Sequence, residues 1–330
     1  RRSLLAAAAA GLLAAPASGA YAALPQNPSL TATFQLHDGR PMPVLGLGVY
    51  MMKPGQETKE AVAEALKLGY RMVDTAAVYG NEESVGAALA DSGVPRSELF
   101  LATKLWDSDH GYAQAHKAVR RSLKRLGVDY VDLYLIHSPS TGKLVETWDA
   151  LVEMQQMGLA RSIGVSNFGV AHLEALEDHG RPLPAVNQVE MHPLNWKGRK
   201  PLLEWCSARG VLVQAYGSLF FGRSERLAEE AVQRVANAKG RTSAQVLLRW
   251  GHQMGFQLIP KSTRRQRLVE NSRIFDFELS EEEMATLSAM EGTLGAYWQP
   301  LDAPVDLGNL SAASPVDPPP EVPWTKGEEL

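Results

Sequence analysis

Short apolar runs alternate along this chain with longer stretches in which apolar residues recur every three or four positions. The runs RMVD (71–74), LFLATK (99–104), VDLYLIH (131–137), ARSIGV (160–165), LPAVN (183–187), VLVQA (211–215) and FQLIP (256–260) have strand length and strand composition. Between them the spacing predicts amphipathic helices over 57–69, 83–93, 110–127, 143–158, 170–180, 200–210, 226–240 and 241–255, most of them ending at a glycine suited to a left-handed C-cap. A last helix, LSEEEMATLSAM (279–290), opens at Ser280 with acidic residues in its first turn. Ahead of these elements, TATFQL (31–36) turns through His37, Asp38, Gly39 and Arg40 into PMPVLGL (41–47), and Asp-Gly at the bend signals a hairpin. Strand and helix alternating in this way specify a parallel sheet covered by helices, an α/β fold. Periodicity does not distinguish an open sheet from a closed one.

The chemistry lies where the apolar runs stop. Asp74 ends RMVD, with Tyr79 five residues on. Lys104 ends LFLATK, and His137 ends VDLYLIH. A free tyrosine, with a pKa of about 10, is a poor acid near neutrality. An ammonium beside the phenol stabilises the phenolate and makes Tyr79 a usable proton donor, with Asp74 holding Lys104 charged and aimed. His137 suits a hydrogen bond to a substrate oxygen. Each residue alone has a bland reading as a cap, a packing ring, a surface charge or an interior histidine; the four together describe a carbonyl-reducing site that lacks only a hydride donor.

Later runs end in residues suited to holding such a donor. Ser166, Asn167 and Gln188 offer the mixed donors and acceptors that a carboxamide needs. Tyr216 offers a ring for stacking a nicotinamide. Lys261, Arg264 and Arg267, with Ser262 among them, form a basic cluster fit for a phosphate ester and point to the 2′-phosphate of NADPH. GLGVYMMKPG is no dinucleotide fingerprint, because no GxGxxG opens a helix. Tyr50, Trp106, Phe220, Phe221 and Trp298 are the aromatic candidates for an apolar wall around the reacting carbonyl.

The ordered series FQLHDGRPMPVLGLG, VDTAAVYGNEESVG, TKLW, LIHSP, GVSNF, VNQVEMHP and IPKSTRRQRLVEN resembles the aldo-keto reductases over residues 33 to 291. The resemblance implies a (β/α)₈ barrel spanning 30–291 with an N-terminal β-hairpin, and NADPH as cofactor. It also implies the catalytic set Asp74, Tyr79, Lys104 and His137. To the cofactor it assigns Ser166, Asn167, Gln188, Tyr216, Ser218, Leu219, Lys261, Ser262 and Arg267, with Glu270 and Asn271 near the adenine. Two places depart from the family pattern: Val49 stands where a threonine is usual, and GSLFFGR follows Tyr216 where many members have SPLGRG. A competing reading is a cofactor-binding, redox-sensing protein on the same fold. A metal-dependent barrel hydrolase lacks a ligand cluster, since the histidines are scattered and no HxH follows a strand.

Composition narrows the partners. A net charge of −4 and a pI near 6.1 argue against nucleic acid, leaving a small carbonyl compound as the expected partner of an expected monomer. The single cysteine, Cys206, excludes an internal disulfide and reads as helix packing. His110, His116, His172 and His179 read as solvated, and His192 as a structural residue before Pro193.

The two ends differ from the middle. Arg1 and Arg2 precede SLLAAAAAGLLAA and an Ala20-Tyr21-Ala22 cleavage-like site, so residues 1–22 read as a twin-arginine-like export signal; its apolar run is too short to span a bilayer. The expected location is periplasmic, with the cytoplasm as the alternative. Residues 292–330 are rich in proline, glycine and serine and read as a long loop and tail, with Trp298 in a lid over the barrel mouth.

Overall fold

The computed structural model describes residues 20–291 and 300–305. The hairpin forms where expected. β1 (Thr33–Gln35) pairs antiparallel with β2 (Pro41–Pro43), and Gly39 takes a φ of 84° at the bend while Asp38 Oδ1 accepts from the Arg40 N–H. Eight parallel strands come next, in sequence order: β3 (Leu47–Gly48), β4 (Met72–Asp74), β5 (Phe100–Leu105), β6 (Val131–Ile136), β7 (Ala160–Ser166), β8 (Val186–Glu190), β9 (Leu212–Tyr216) and β10 (Gln257–Leu258). Every residue of β5 and β6 is buried, as in a sheet covered on both faces.

The last strand returns to the first. Leu45 bridges Leu258 in parallel, the Gly46 N–H donates to Leu258 O at 2.8 Å, and the Gly48 N–H donates to Pro260 O at 3.2 Å. A Cβ on Gly48 would lie 2.6 Å from the Ile259 carbonyl oxygen, so this seam closes only around glycine. Closure into a (β/α)₈ barrel, which periodicity leaves open, is made by these bonds.

The covering helices follow their apolar stripes. Tyr112–Leu126 buries Ala115, Ala118, Val119, Ser122, Leu123 and Leu126 on one face, and Gly127 ends it in the left-handed conformation. Glu281–Ser288 is opened by Ser280, whose Oγ accepts from the Glu283 N–H while the Glu283 carboxylate accepts from the Ser280 N–H. Cys206 is buried in Lys200–Ala208, and burial pushes its thiol up to about 12.

Some expectations need correction. The stretch 226–240 is two helices, Ser224–Leu227 and Glu230–Lys239, because Gln233 Nε2 and Ser243 Oγ both donate to the Leu227 carbonyl and end the first. A further helix, Arg265–Ser272, carries the end of the basic cluster. His110 and His172 are buried rather than solvated. His110 Nδ1 lies 2.9 Å from Gly142 O, and His172 Nδ1 accepts from the Gly169 N–H at 3.1 Å. His192 is structural: its N–H donates to Asn195 Oδ1 and its ring contacts Glu190 Oε1 at 2.8 Å. Of the signal-like segment only Ala20, Tyr21 and Ala22 are described. Tyr21 docks on the barrel, its N–H bonded to Met254 O and its ring stacked 5.9 Å from Phe256. Trp298 and the rest of the tail beyond Val305 lie outside the described residues.

Candidate active site

Strand register brings the four catalytic candidates to one end of the barrel, the C-terminal face on which barrel active sites form. Asp74 ends β4, Lys104 sits in β5, and His137 follows β6 directly. Tyr79 closes a short turn (Ala77–Tyr79) after β4. Asn81 pins that turn: its Oδ1 accepts from Thr75 Oγ1 at 2.8 Å and its Nδ2 donates to Val49 O at 3.0 Å. Sequence reasoning does not single out Asn81, although it lies inside the VYGNEE motif.

Lys104 is the hub. Its Nζ donates to Asp74 Oδ1 at 2.6 Å, to Thr75 O at 2.8 Å and to the Tyr79 hydroxyl at 3.3 Å. Burial draws the Lys104 ammonium below its ordinary pKa while Asp74 pulls it back; burial raises Asp74, and Lys104 opposes that shift. We take the pair as ionised, because each charge has a partner at contact distance. The rings of Tyr50, His137 and Trp106 surround the site: Tyr50 lies 4.9 Å from Tyr79, His137 5.7 Å from Tyr79, and Trp106 5.1 Å from His137. Burial and the Lys104 charge hold the His137 pKa well below the ordinary histidine value, so its imidazole is neutral and keeps one N–H to donate.

A cleft of about 870 Å³ runs from Asp74, Tyr79 and His137 to the basic cluster. All the residues predicted to face the cofactor line it: Ser166, Asn167, Gln188, Tyr216, Ser218, Leu219, Lys261, Ser262, Arg264, Arg267, Glu270 and Asn271. Asn167 is held at φ 59°, its Nδ2 donating to His137 O and its Oδ1 accepting from the Tyr216 hydroxyl at 2.7 Å. At the far end, desolvation and the nearby Arg267 charge draw the Lys261 ammonium down, against the field of Glu57.

The aromatic wall needs two corrections. Trp106 packs edge-on against His137 and does not itself line the cleft. Phe220 is fully buried and packs on His192, 5.0 Å between centroids, whereas Phe221 lines the cleft. Both take a positive φ, 53° and 54°, and this left-handed kink turns the second ring toward the cleft and the first toward the core. Val49 is buried and does not line the cleft.

The model of the "Aldo/keto reductase family" matches residues 44–291. The chain belongs to this family. It is 45% identical over 262 residues to a glyoxal reductase of Bacillus subtilis, covering 79% of this chain and 94% of that protein. An aldo-keto reductase of Mycobacterium sp. (strain MCS) is 48% identical over 261 residues, 78% of this chain and 90% of the relative. Among solved structures, an aldo/keto reductase from Brucella melitensis superposes with a TM-score of 0.73 at 41% identity, over 78% of this chain and 98% of that one. An aldo-keto reductase of Bombyx mori in complex with NADP does so with a TM-score of 0.73 at 38% identity, over 78% and 92%. The chain is therefore an aldo-keto reductase, an NAD(P)H-linked oxidoreductase acting on carbonyl groups. Among the described residues no cluster of three His, Cys, Asp or Glu side chains is placed to hold a metal ion, and no helix is long and apolar enough to cross a membrane.

Proposed function

We infer that this aldo-keto reductase uses NADPH to reduce aldehydes or ketones to alcohols, with Tyr79 as the proton donor. The observation that carries this reading is Lys104 Nζ, held between Asp74 Oδ1 at 2.6 Å and the Tyr79 hydroxyl at 3.3 Å beside a cleft that Tyr79 itself lines. Bound NADPH would supply the hydride. The residues present suit it: Ser166, Asn167 and Gln188 have the donors and acceptors for its carboxamide, Tyr216 has the ring face, and Lys261, Arg264 and Arg267 have the charge for its 2′-phosphate. Supporting that last fit, no described carboxylate comes within ion-pair distance of these three cations.

The neutral His137 donates a hydrogen bond to the carbonyl oxygen and orients it. Tyr79 protonates that oxygen as negative charge develops on it. Lys104 stabilises the phenolate left behind, and Asp74 keeps Lys104 charged in a site that burial would otherwise discharge. Tyr50, Trp106 and Phe221 make the surroundings apolar and help exclude water.

The test is NADPH oxidation by the purified chain across aldehydes, ketones and sugar carbonyls, beginning with glyoxal because a relative bears its name, with Tyr79→Phe alongside. Turnover that disappears in the variant supports the reading. Tight NADPH binding without turnover on any member of the panel would move the assignment to a sensing role.

A further inference from the structure

Three glutamines occupy matched positions on neighbouring strands. Gln188 on β8 is the register partner of Gln214 on β9, which is in turn the partner of Gln257 on β10, and all three are buried. Their amides form one continuous row. Gln257 Nε2 donates to the main-chain carbonyls of Pro43 at 3.0 Å and Leu258 at 3.1 Å. A carbonyl only accepts, so the nitrogen end of Gln257 is fixed and its oxygen must face the other way. That oxygen accepts from Gln214 Nε2 at 2.7 Å, and Gln214 Oε1 accepts from Gln188 Nε2 at 2.6 Å. The other hydrogen on Gln188 Nε2 goes to Asp74 Oδ2 at 2.8 Å.

The ionised Asp74 carboxylate also only accepts, so the polarity of the row comes out the same from either end. Turning over any one amide would set donor against donor or oxygen against oxygen at a buried junction. With both hydrogens on Nε2 used, what Gln188 has left for a ligand in the cleft is its acceptor oxygen. An apolar barrel interior filled with leucine or methionine would avoid burying three amides. The row therefore points to a purpose other than packing.

We propose that Gln214 and Gln257 are positioning residues which lock the Gln188 amide in one orientation, presenting an oxygen acceptor to the carboxamide NH₂ of a bound nicotinamide while keeping the amide nitrogen on Asp74. The proposal rests on the cofactor reading above and deepens it.

The experiment reads cofactor binding rather than turnover. NADP⁺ and its 3-acetylpyridine analogue, in which a methyl replaces the carboxamide NH₂, are titrated calorimetrically against the wild type, Gln214→Met and Gln214→Glu, with a thermal melt of each. The wild type is expected to prefer NADP⁺ by roughly fivefold, the worth of about one hydrogen bond. Gln214→Met removes one of the two bonds on Gln188 Nε2 and leaves the amide held by Asp74 alone, and the preference falls. In Gln214→Glu the buried carboxyl is expected to be protonated, donating its proton to Gln257 Oε1 and keeping an acceptor facing Gln188, and the preference returns. Gln257→Met breaks the row one step further out and gives a smaller loss in the same direction; it carries the test if the Gln214 variant does not fold. An unchanged preference in the methionine variants overturns the positioning role and leaves the cofactor reading intact. A wild type that binds neither dinucleotide overturns both.

Discussion

The two ends of the cleft hold charge in opposite ways. At the catalytic end Lys104 and Asp74 are almost wholly withdrawn from solvent, 2.6 Å apart, and each is bonded again, to Thr75 O and to Gln188. At the far end Lys261, Arg264 and Arg267 are exposed, all of one sign, with no described carboxylate at contact distance. The first arrangement is complete before anything binds, because a buried ion without its partner costs several kcal/mol. The second is incomplete by itself and is tolerated because water screens it. The proposed catalytic and phosphate-binding groups thus lie at opposite ends of one cleft: the fold pairs the charges at one end and leaves those at the other without a described carboxylate at contact distance.

The largest expected effect falls at the fixed end. Tyr79→Phe removes a proton and little else, so kcat should fall by about 10²- to 10⁴-fold with NADPH affinity nearly unchanged; steady-state kinetics beside a fluorescence titration measure both, and retained turnover would remove Tyr79 from its role. Lys104→Met strands the Asp74 carboxylate, and a stability loss of about 3–5 kcal/mol should appear in a denaturant midpoint. A variant as stable as the wild type would mean that Asp74 is not held as an ion.

At the incomplete end the expected changes concern selectivity. Lys261→Ala or Arg267→Ala should each weaken NADPH about tenfold, the value of a charge-assisted hydrogen bond, while NADH is nearly unaffected. Equal losses for the two cofactors would remove the 2′-phosphate contact. Raising ionic strength from about 0.05 to 0.5 M should weaken NADPH binding but leave the pH profile of the buried tetrad in place.

The smallest effect is a pH limb. Burial and the Lys104 charge hold the His137 pKa well below its ordinary value, so the imidazole is neutral at about pH 7 and contributes no step there. Burial pushes Asp107 up to about 7, and its carboxylate accepts from Ser138 Oγ at 2.7 Å, tying Trp106's loop to the residue after His137. Ionised Asp107 makes the stronger tie, so kcat/KM should rise modestly as pH increases through 7. Asp107→Asn should flatten that limb, and a limb that survives in the variant belongs to another group.

Much of this is legible in the sequence because a barrel delivers strand ends to one face: the polar residue that closes each apolar run, or comes directly after it, identifies Asp74, Lys104, His137, Gln188 and Tyr216 without coordinates. The misses have local causes. Two adjacent phenylalanines look alike in sequence, and only the left-handed backbone at both residues decides that Phe221 and not Phe220 reaches the cleft. The helix Arg265–Ser272 buries little beyond Leu268 and Asn271, so it carries no apolar stripe to read. His110 and His172 stand in loop-like and helix-opening stretches, yet each is folded onto backbone of its own or a neighbouring turn. Gln214 and Gln257 are in view inside VLVQA and FQLIP. A polar residue interrupting an interior strand is a signal, but its partners come from other strands and become visible only once the register is known.

The seam between Leu45 and Leu258 joins residues roughly two hundred positions apart. At a synthesis rate of about 5–20 residues per second, the first strand waits roughly 10 to 40 seconds for its neighbour. Until then β3 and β9 each present an open sheet edge able to pair with another chain. The stretch that relieves this exposure runs directly into Lys261. On the ribosome, Lys261 therefore follows directly behind the strand that removes the last open sheet edge.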